Sequence, residues 1–196
     1  IDKNSQGDFQ SQEAFYYQAM ATLSSFTGRY SEARFYFGKS DSIMHQKRRV
    51  NFEQLEGNRF LNADTAILQL AQKFNVIAFN EEHHIPMSRA IVYRYLQPLA
   101  KLGYKYLALE TLDERDTLVQ KRNYPLYRKT GFYSDEPVYG LLIREALKLG
   151  YTLLPYETGG SEKNREEMQA RNIKKRYRSD KGKMIILAGY GHTREA

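Results

Sequence analysis

The sequence LGYKYLALET at residues 102–111 returns as LGYTLLPYET at residues 149–158, and this echo decides the fold. In each copy a glycine follows a helix-like stretch, where it permits the left-handed turn that commonly ends a helix. A short apolar run suited to a buried strand comes next, and a glutamate, Glu110 or Glu157, stands at its far end. The echo therefore predicts two helix–strand units that each end in a carboxylate.

Two more apolar runs, one on either side of the echo, have the length and composition of buried strands, and helix-period stretches separate all four. Strands are predicted near residues 75–80, 104–110, 151–157 and 184–189. Because strands that alternate with helices are joined by crossovers, the sheet should be mostly parallel, with helices packed on its faces. We therefore predict an α/β domain over residues 63–196.

The N-terminal residues follow a different pattern. Helical periodicity over residues 13–37 is interrupted at Gly28, which predicts a helical hairpin, and residues 38–62 are polar with little period. Residues 1–62 are therefore predicted to form a helical appendage and a connector. Another irregular stretch, residues 111–136, is too long and too polar for an ordinary connection, so we expect a mobile or substrate-covering loop there.

Composition argues against several classes of protein. The net charge is +7 over 196 residues, but apart from two short runs the basic residues are scattered and carry no nucleic-acid-binding motif, so no nucleic-acid partner is expected. The chain has no cysteine, which rules out disulfides and cysteine-ligated zinc. No run of about 18 apolar residues occurs, so no membrane span is predicted. Ile1 stands where an initiator Met is usual, and removal of a signal peptide from a periplasmic or secreted protein is one explanation.

Each predicted strand is followed by an ionisable residue. Glu81 and His83 follow the first strand, Glu110 the second, Glu157 the third and His192 the fourth. The carboxyl ends of parallel strands meet at one edge of a sheet, and open α/β sheets bind their ligands at that edge. We therefore expect the side chains of His83, Glu110, Glu157 and His192 to converge on one pocket, and these four residues and Glu81 to be the catalytic residues.

Histidines and clustered glutamates offer two kinds of chemistry near neutral pH. In the first, His83 is a base that activates water. In the second, a divalent metal ion activates the water, and its ligands would be His83, His192, Glu110 and Glu157. The sequence leaves both possibilities open.

A polar helix predicted over residues 161–177 places Arg165 and Asn172 on one face, together with Met168, and we expect Arg165 and Asn172 to bind substrate. The chain has no Gly-x-Ser-x-Gly motif and no cysteine, so an acyl-enzyme route is disfavoured. Water is therefore the expected nucleophile, acting on an ester or amide in a small-molecule or peptide substrate.

The order and spacing of these motifs resemble the superfamily that contains ChaN-like haem-binding proteins, TIKI/TraB-type proteases and erythromycin esterases. The resemblance covers roughly residues 64–192. Its motifs are Asn80-Glu81-Glu82-His83, Leu109-Glu110, Tyr156-Glu157, the set Arg165, Met168 and Asn172, and Ala188-Gly189-Tyr190-Gly191-His192. Asn80 departs from the pattern, because the superfamily usually has glycine there.

The resemblance implies two functions. One is a hydrolase with a His/Glu site that is either metal-free or metal-dependent. The alternative is a haem or iron carrier, in which histidine and tyrosine would be axial ligands and the Tyr/Arg-rich residues 124–139 would cover the macrocycle. Members of the superfamily continue past the Gly-x-Gly-His motif, so we also expect part of the domain to lie beyond Ala196. A third, more general function is protein interaction through the N-terminal hairpin.

Overall fold

The structure, a computed structural model, describes residues 3–44, 60–157 and 164–190, with side chains from residue 11 onward. The chain divides into two compact units, Ile1–Asn62 and Ala63–Ala196. Within the described ranges, every helix is too short or too polar to cross a membrane.

The first unit contains a pair of helices, α1 (Lys3–Phe26) and α2 (Tyr30–Met44), which pack against each other. Gly28 lies between them with a φ of +75°, a backbone angle that glycine adopts without strain. The predicted hairpin is therefore present. Helix α2 continues six residues past Gly38, so the connector begins later than expected, and residues 45–59 lie outside the described residues.

The second unit contains four parallel strands in the order β1-β4-β2-β3. This arrangement confirms the predicted α/β class and its parallel sheet. The strand bounds are β1 Val76–Glu81, β2 Tyr104–Leu109, β3 Thr152–Pro155 and β4 Lys183–Gly189.

Helices cover both faces of this sheet. Alternate strand residues point to opposite faces: Leu107 and Leu109 pack under α4 and α6, whereas Tyr106 and Ala108 share a smaller apolar cluster with Ile173 of α7. The helix bounds are α3 Ala63–Lys73, α4 Pro86–Lys101, α5 Val119–Arg122, α6 Pro137–Lys148 and α7 Arg165–Arg176. The central strands β2 and β4 are thus largely buried on both faces. The edge strand β1, expected to be buried, is exposed on the face that carries Val76, Ala78 and Asn80, because no helix among the described residues covers that face. Polar side chains gather at the carboxyl edge of the sheet.

The glycines of the echo behave as predicted. Gly103 and Gly150 follow α4 and α6 with φ angles of +89° and +82°, so each turns the chain from a helix into the next strand. Asp64 lies in the first turn of α3, and its carboxylate accepts hydrogen bonds from the side chains of Arg94 and Tyr95, which connect α3 to α4.

The segment 111–136 contains α5 and one turn of 3₁₀ helix, Tyr133–Asp135. Asp116 holds its middle together, since its buried carboxylate accepts hydrogen bonds from Arg122 and from the Thr130 hydroxyl, at 2.7 and 2.6 Å. The segment is therefore more organised than an irregular loop. Its mobility stays a prediction.

Candidate active site

The sheet order determines which strand ends are neighbours. β4 lies between β1 and β2, and Glu81 at the end of β1 is in register with Gly189 at the end of β4. Glu110 directly follows β2, and Glu157 stands two residues after β3. The order along the carboxyl edge is therefore Glu81, Gly189, Glu110, Glu157.

Glu81 and His83 are hydrogen-bonded to each other through their side chains. The imidazole Nδ1 of His83 lies 2.9 Å from Oε1 of Glu81, whose side chain is buried, whereas the His83 side chain is 31% exposed. An ionised carboxylate only accepts hydrogen bonds, so Nδ1 carries a proton, and in the neutral imidazole Nε2 is then the acceptor. This geometry fixes the tautomer that a general base requires.

Gly189, which has no side chain, lies next to the Nε2 side of the imidazole. A Cβ on Gly189 would stand 2.9 Å from Nε2 of His83 and 3.1 Å from Oε2 of Glu110. Both atoms therefore lie close to the backbone of β4 at Gly189. The backbone N–H of Gly189 also donates to Oε2 of Glu110 at 2.7 Å, which fixes that carboxylate beside the imidazole.

The Glu81 carboxyl is held in its charged form. Burial by itself would raise its pKa, but the hydrogen bond with His83 and the charge and hydrogen bond of Arg89 outweigh burial, so its pKa is lowered. Nε of Arg89 donates to Oε2 of Glu81 at 2.6 Å. Glu81 can therefore face the imidazole as a carboxylate at neutral pH.

Arg165 joins the second and third strand ends. Its guanidinium donates to Oε1 of Glu110 at 2.8 Å and, through Nε, to Oε2 of Glu157 at 2.9 Å. Gln169, one turn further along α7, donates to the same Glu157 oxygen at 2.7 Å. The first turn of α7 is thereby attached to the edge of the sheet, and the two glutamates share one positive charge.

The remaining predicted site residues have different positions. The Asn172 side chain donates to the backbone carbonyl of Tyr156 at 3.0 Å, which attaches α7 to the end of β3. Met168 is half-buried on the same helix. His192 lies outside the described residues, so its role as a catalytic residue or a ligand stays a prediction.

The described residues do not provide a metal site. Within residues 3–44, 60–157 and 164–190, no three His, Asp or Glu side chains are placed to hold a metal ion together. Two of the expected ligands, Glu110 and Glu157, pair with the guanidinium of Arg165. Because His192, another expected ligand, lies outside the described residues, metal binding stays a prediction.

Three residues that surround the pair, Tyr133, Arg89 and Glu136, were not predicted from the sequence. Tyr133, from the 3₁₀ turn, stacks on His83 with ring centroids 4.1 Å apart and planes 15° apart. Arg89 is fully buried between Glu81 and Glu136, which it reaches at 3.2 Å. One signal was present: Arg89 precedes Val92 and Leu96 at the spacing of the buried stripe of α4, where a charged residue requires a buried partner.

A cleft of about 430 Å³ opens beside Glu110. Its walls include Thr111, Asp113, Phe132 and Glu157, so residues of the 111–136 segment form one side. Glu110 thus lines the cleft and, through Gly189, is also a neighbour of Nε2 of His83.

Comparisons with models of protein families, with curated proteins and with solved structures returned no match. The residues of the site are therefore the basis on which a function can be proposed.

Proposed function

We propose that this protein is a hydrolase in which His83 acts as the general base, removing a proton from a water molecule that attacks an ester or amide. The observation that carries the proposal is the Glu81–His83 pair, with Nδ1 bound to Glu81 at 2.9 Å and Nε2 beside Gly189, the glycine that also lies next to the Glu110 carboxylate. A base must be oriented and in the correct tautomer before it can act, and this pair supplies both conditions.

The other side chains have supporting roles in this proposal. Glu81 orients the imidazole and stabilises the imidazolium that forms when His83 takes a proton. Glu110, fixed by the Gly189 N–H, lies where it can accept a hydrogen bond from the attacking water. Arg165 holds Glu110 and Glu157 beside the cleft. Its positive charge offsets the charge of these two carboxylates while a negative charge develops on the oxyanion of the substrate.

The haem or iron carrier implied by the resemblance has weaker support. Axial ligation needs an imidazole nitrogen that faces a wide, flat opening, but the Nε2 edge of His83 lies against the backbone of Gly189 and Tyr133 stacks on one face of its ring. Tyr124, expected to help cover a macrocycle, lies under the guanidinium groups of Arg122 and Arg144. These observations count against a porphyrin beside His83.

Substitution of His83 tests the proposal. Hydrolysis of p-nitrophenyl acetate and of an amino-acid p-nitroanilide is measured for the wild type, His83→Gln and the matched control His84→Gln. The neighbouring His84 is buried and faces Glu82 at 3.7 Å instead of the Glu81 pair. Loss of a positioned general base should lower kcat about 10²- to 10⁴-fold in His83→Gln, whereas His84→Gln should retain activity. Equal activity of His83→Gln and wild type would show that the proposal is wrong.

Three additional measurements separate the alternatives. Hydrolysis is repeated after dialysis against a chelator, and recovery upon addition of one divalent metal would support the metal-dependent form. His192→Gln tests the predicted second histidine. Titration with hemin is followed by visible absorption: an intense band that His83→Gln abolishes, in a protein without hydrolytic activity, would support the carrier.

A further inference from the structure

We infer that Glu136, at the start of α6, is a positioning residue that acts through Arg89 and Glu81 to hold the His83 imidazole in its Nδ1–H tautomer. The four side chains form one continuous chain of charged contacts from the interior to the candidate site. The catalytic meaning of this chain rests on the proposed function, but its effect on His83 does not.

The contacts connect three separate elements. Glu136 accepts hydrogen bonds from the backbone N–H groups of Val138 and Tyr139, at 3.0 and 2.8 Å, and so caps α6. Its Oε2 also accepts from Nη1 of Arg89, on α4, at 3.2 Å. Arg89 in turn donates to Glu81, at the end of β1, which contacts His83.

Arg89 is held on every side. Besides its two carboxylate partners, its Nη2 donates to the backbone carbonyl of His83 at 3.0 Å. The aromatic rings of Tyr133 and Tyr139 lie 5.8 and 4.8 Å from its guanidinium carbon. Tyr133 also stacks on His83, so the guanidinium and the imidazole share one aromatic neighbour. A guanidinium fixed in this way fixes the carboxylate to which it donates.

The charges explain why Glu136 is needed. Glu136, Arg89 and Glu81 are all buried, and buried charges are unfavourable unless they are paired with good geometry. Together the three carry one net negative charge, which an imidazolium at His83 neutralises. Without the charge of Glu136, Arg89 would have Glu81 as its only carboxylate partner and would draw that carboxylate away from Nδ1 of His83.

A large buried ion-pair chain is weak evidence for stability alone, because well-packed apolar residues often stabilise a core as well or better. Here the chain ends at the half-exposed imidazole of the candidate site instead of closing upon itself inside the core. Its exposed end is therefore the part that a function would use. This argues that the chain positions His83.

The test compares Glu136→Gln with the matched control Glu145→Gln. Both substitutions remove one negative charge at α6, but the partner of Glu145 is the exposed Lys148, 3.5 Å away, and not Arg89. The tautomer of each histidine is determined from ring ¹⁵N chemical shifts at about pH 8.5, where unperturbed imidazoles are neutral. The chain has four histidines, and the signal missing in His83→Gln identifies His83.

An unrestrained neutral histidine favours the Nε2–H form, so the wild type should show the opposite preference at His83. Glu136→Gln should shift the ratio toward Nε2–H by roughly fivefold, the effect of losing about one net hydrogen bond, and Glu145→Gln should leave it unchanged. Where hydrolysis is measurable, kcat should fall roughly tenfold with an unchanged KM, because the base is misplaced while substrate binding is not.

Glu136→Asp covers the possibility that the glutamine variant does not fold. Aspartate is a good helix N-cap and keeps the charge, but its shorter side chain moves away from Arg89. It should also shift the tautomer ratio toward Nε2–H. A His83 ratio equal to wild type in either folded variant would overturn the inference. A shifted ratio in a protein without hydrolytic activity would support the inference and count against the proposed function.

Discussion

At the end of β4, Gly189 stands where no side chain fits. A Cβ on Gly189 would lie 2.9 Å from Nε2 of His83 and 3.1 Å from Oε2 of Glu110, which is too close for a side-chain atom. The backbone angles of Gly189 do not demand glycine, so close approach alone explains it. This residue allows β4 to lie between the two functional strand ends without separating their side chains.

Gly189→Ala should therefore affect the site more than the fold. The added methyl group must push His83 or Glu110 aside, and we expect kcat/KM to fall about 100-fold with a loss of roughly 1–3 kcal/mol in the free energy of unfolding from overpacking. Ester hydrolysis and urea denaturation measure the two effects. The control is Gly140→Ala. Gly140 lies inside α6, and its Cβ would meet the backbone oxygen of Ser134 at the ordinary contact distance of 3.5 Å, so alanine should keep activity and stabilise the helix. Unchanged activity in Gly189→Ala would contradict the geometry.

The strand-end residues were predictable from sequence, whereas their partners were not. Glu81, His83, Glu110 and Glu157 were found because each follows an apolar run, which is a local pattern. Glu136 is 47 residues from Arg89 along the chain, and its contact exists only because α4 and α6 pack on the same face of the sheet. No periodicity within one segment contains that information.

At the level of elements, the echo predicted the fold well because both copies carry their own start and stop signals. A positive-φ glycine ends the helix, an apolar run forms the strand, and a glutamate marks the exit. The strand order could not be derived this way. The insertion of β4 between β1 and β2 depends on how α7 returns across the sheet, and this insertion brings Gly189 between Glu81 and Glu110.

The segment 111–136 gives a prediction at this scale. Asp116 is buried and joins Arg122 to Thr130, and the chain continues directly from Thr130 through Gly131 to Tyr133. Asp116→Asn should leave the largely buried Arg122 without its charge partner and lower the free energy of unfolding by roughly 1–3 kcal/mol. Because Tyr133 covers His83, hydrolysis should fall as well.

Hydrogen exchange measures whether this segment opens. In Asp116→Asn, the amides between residues 113 and 130 should exchange faster, while those of β2 and β4 should not change. The control is Asp113→Asn, which removes a carboxylate paired with the exposed Arg115 and should alter the free energy of unfolding by less than about 1 kcal/mol. Equal exchange in both variants would show that Asp116 does not organise the segment.

At the scale of the whole molecule, the Ala63–Ala196 unit combines a largely apolar core around the sheet with a charged edge. The apolar clusters lie beneath the helices on both faces, and the ion pairs of Glu81, Arg89 and Glu136 begin where those clusters end. The stability of this unit should therefore depend on pH through a small number of carboxylates. Burial of the apolar core itself does not depend on pH.

Three carboxyl groups of this unit, those of Glu81, Asp116 and Asp113, have a lowered pKa. Burial would raise the pKa of Glu81, but His83 and Arg89 outweigh burial. Hydrogen bonds from Arg122 and Thr130 lower the pKa of Asp116, and hydrogen bonds from Arg115 lower the pKa of Asp113 to about 2. A carboxyl with a lower pKa in the folded state stabilises that state at any pH above its ordinary value. The contribution is lost as the pH falls through the folded-state value, because the native state must then bind a proton it otherwise excludes.

The urea midpoint should therefore be nearly constant from about pH 7 to 5 and should fall below about pH 4.5, the region in which unfolded carboxyls take up protons. Glu81→Gln isolates one group: it should be clearly less stable than wild type at pH 7, and the difference should shrink as the pH falls toward 3. Glu167→Gln removes a carboxylate from an exposed pair with Arg171 and should show a small difference at every pH. If the gap between wild type and Glu81→Gln stayed constant or widened in acid, Glu81 would not be the charged, Arg89-bound carboxylate on which the positioning of His83 depends.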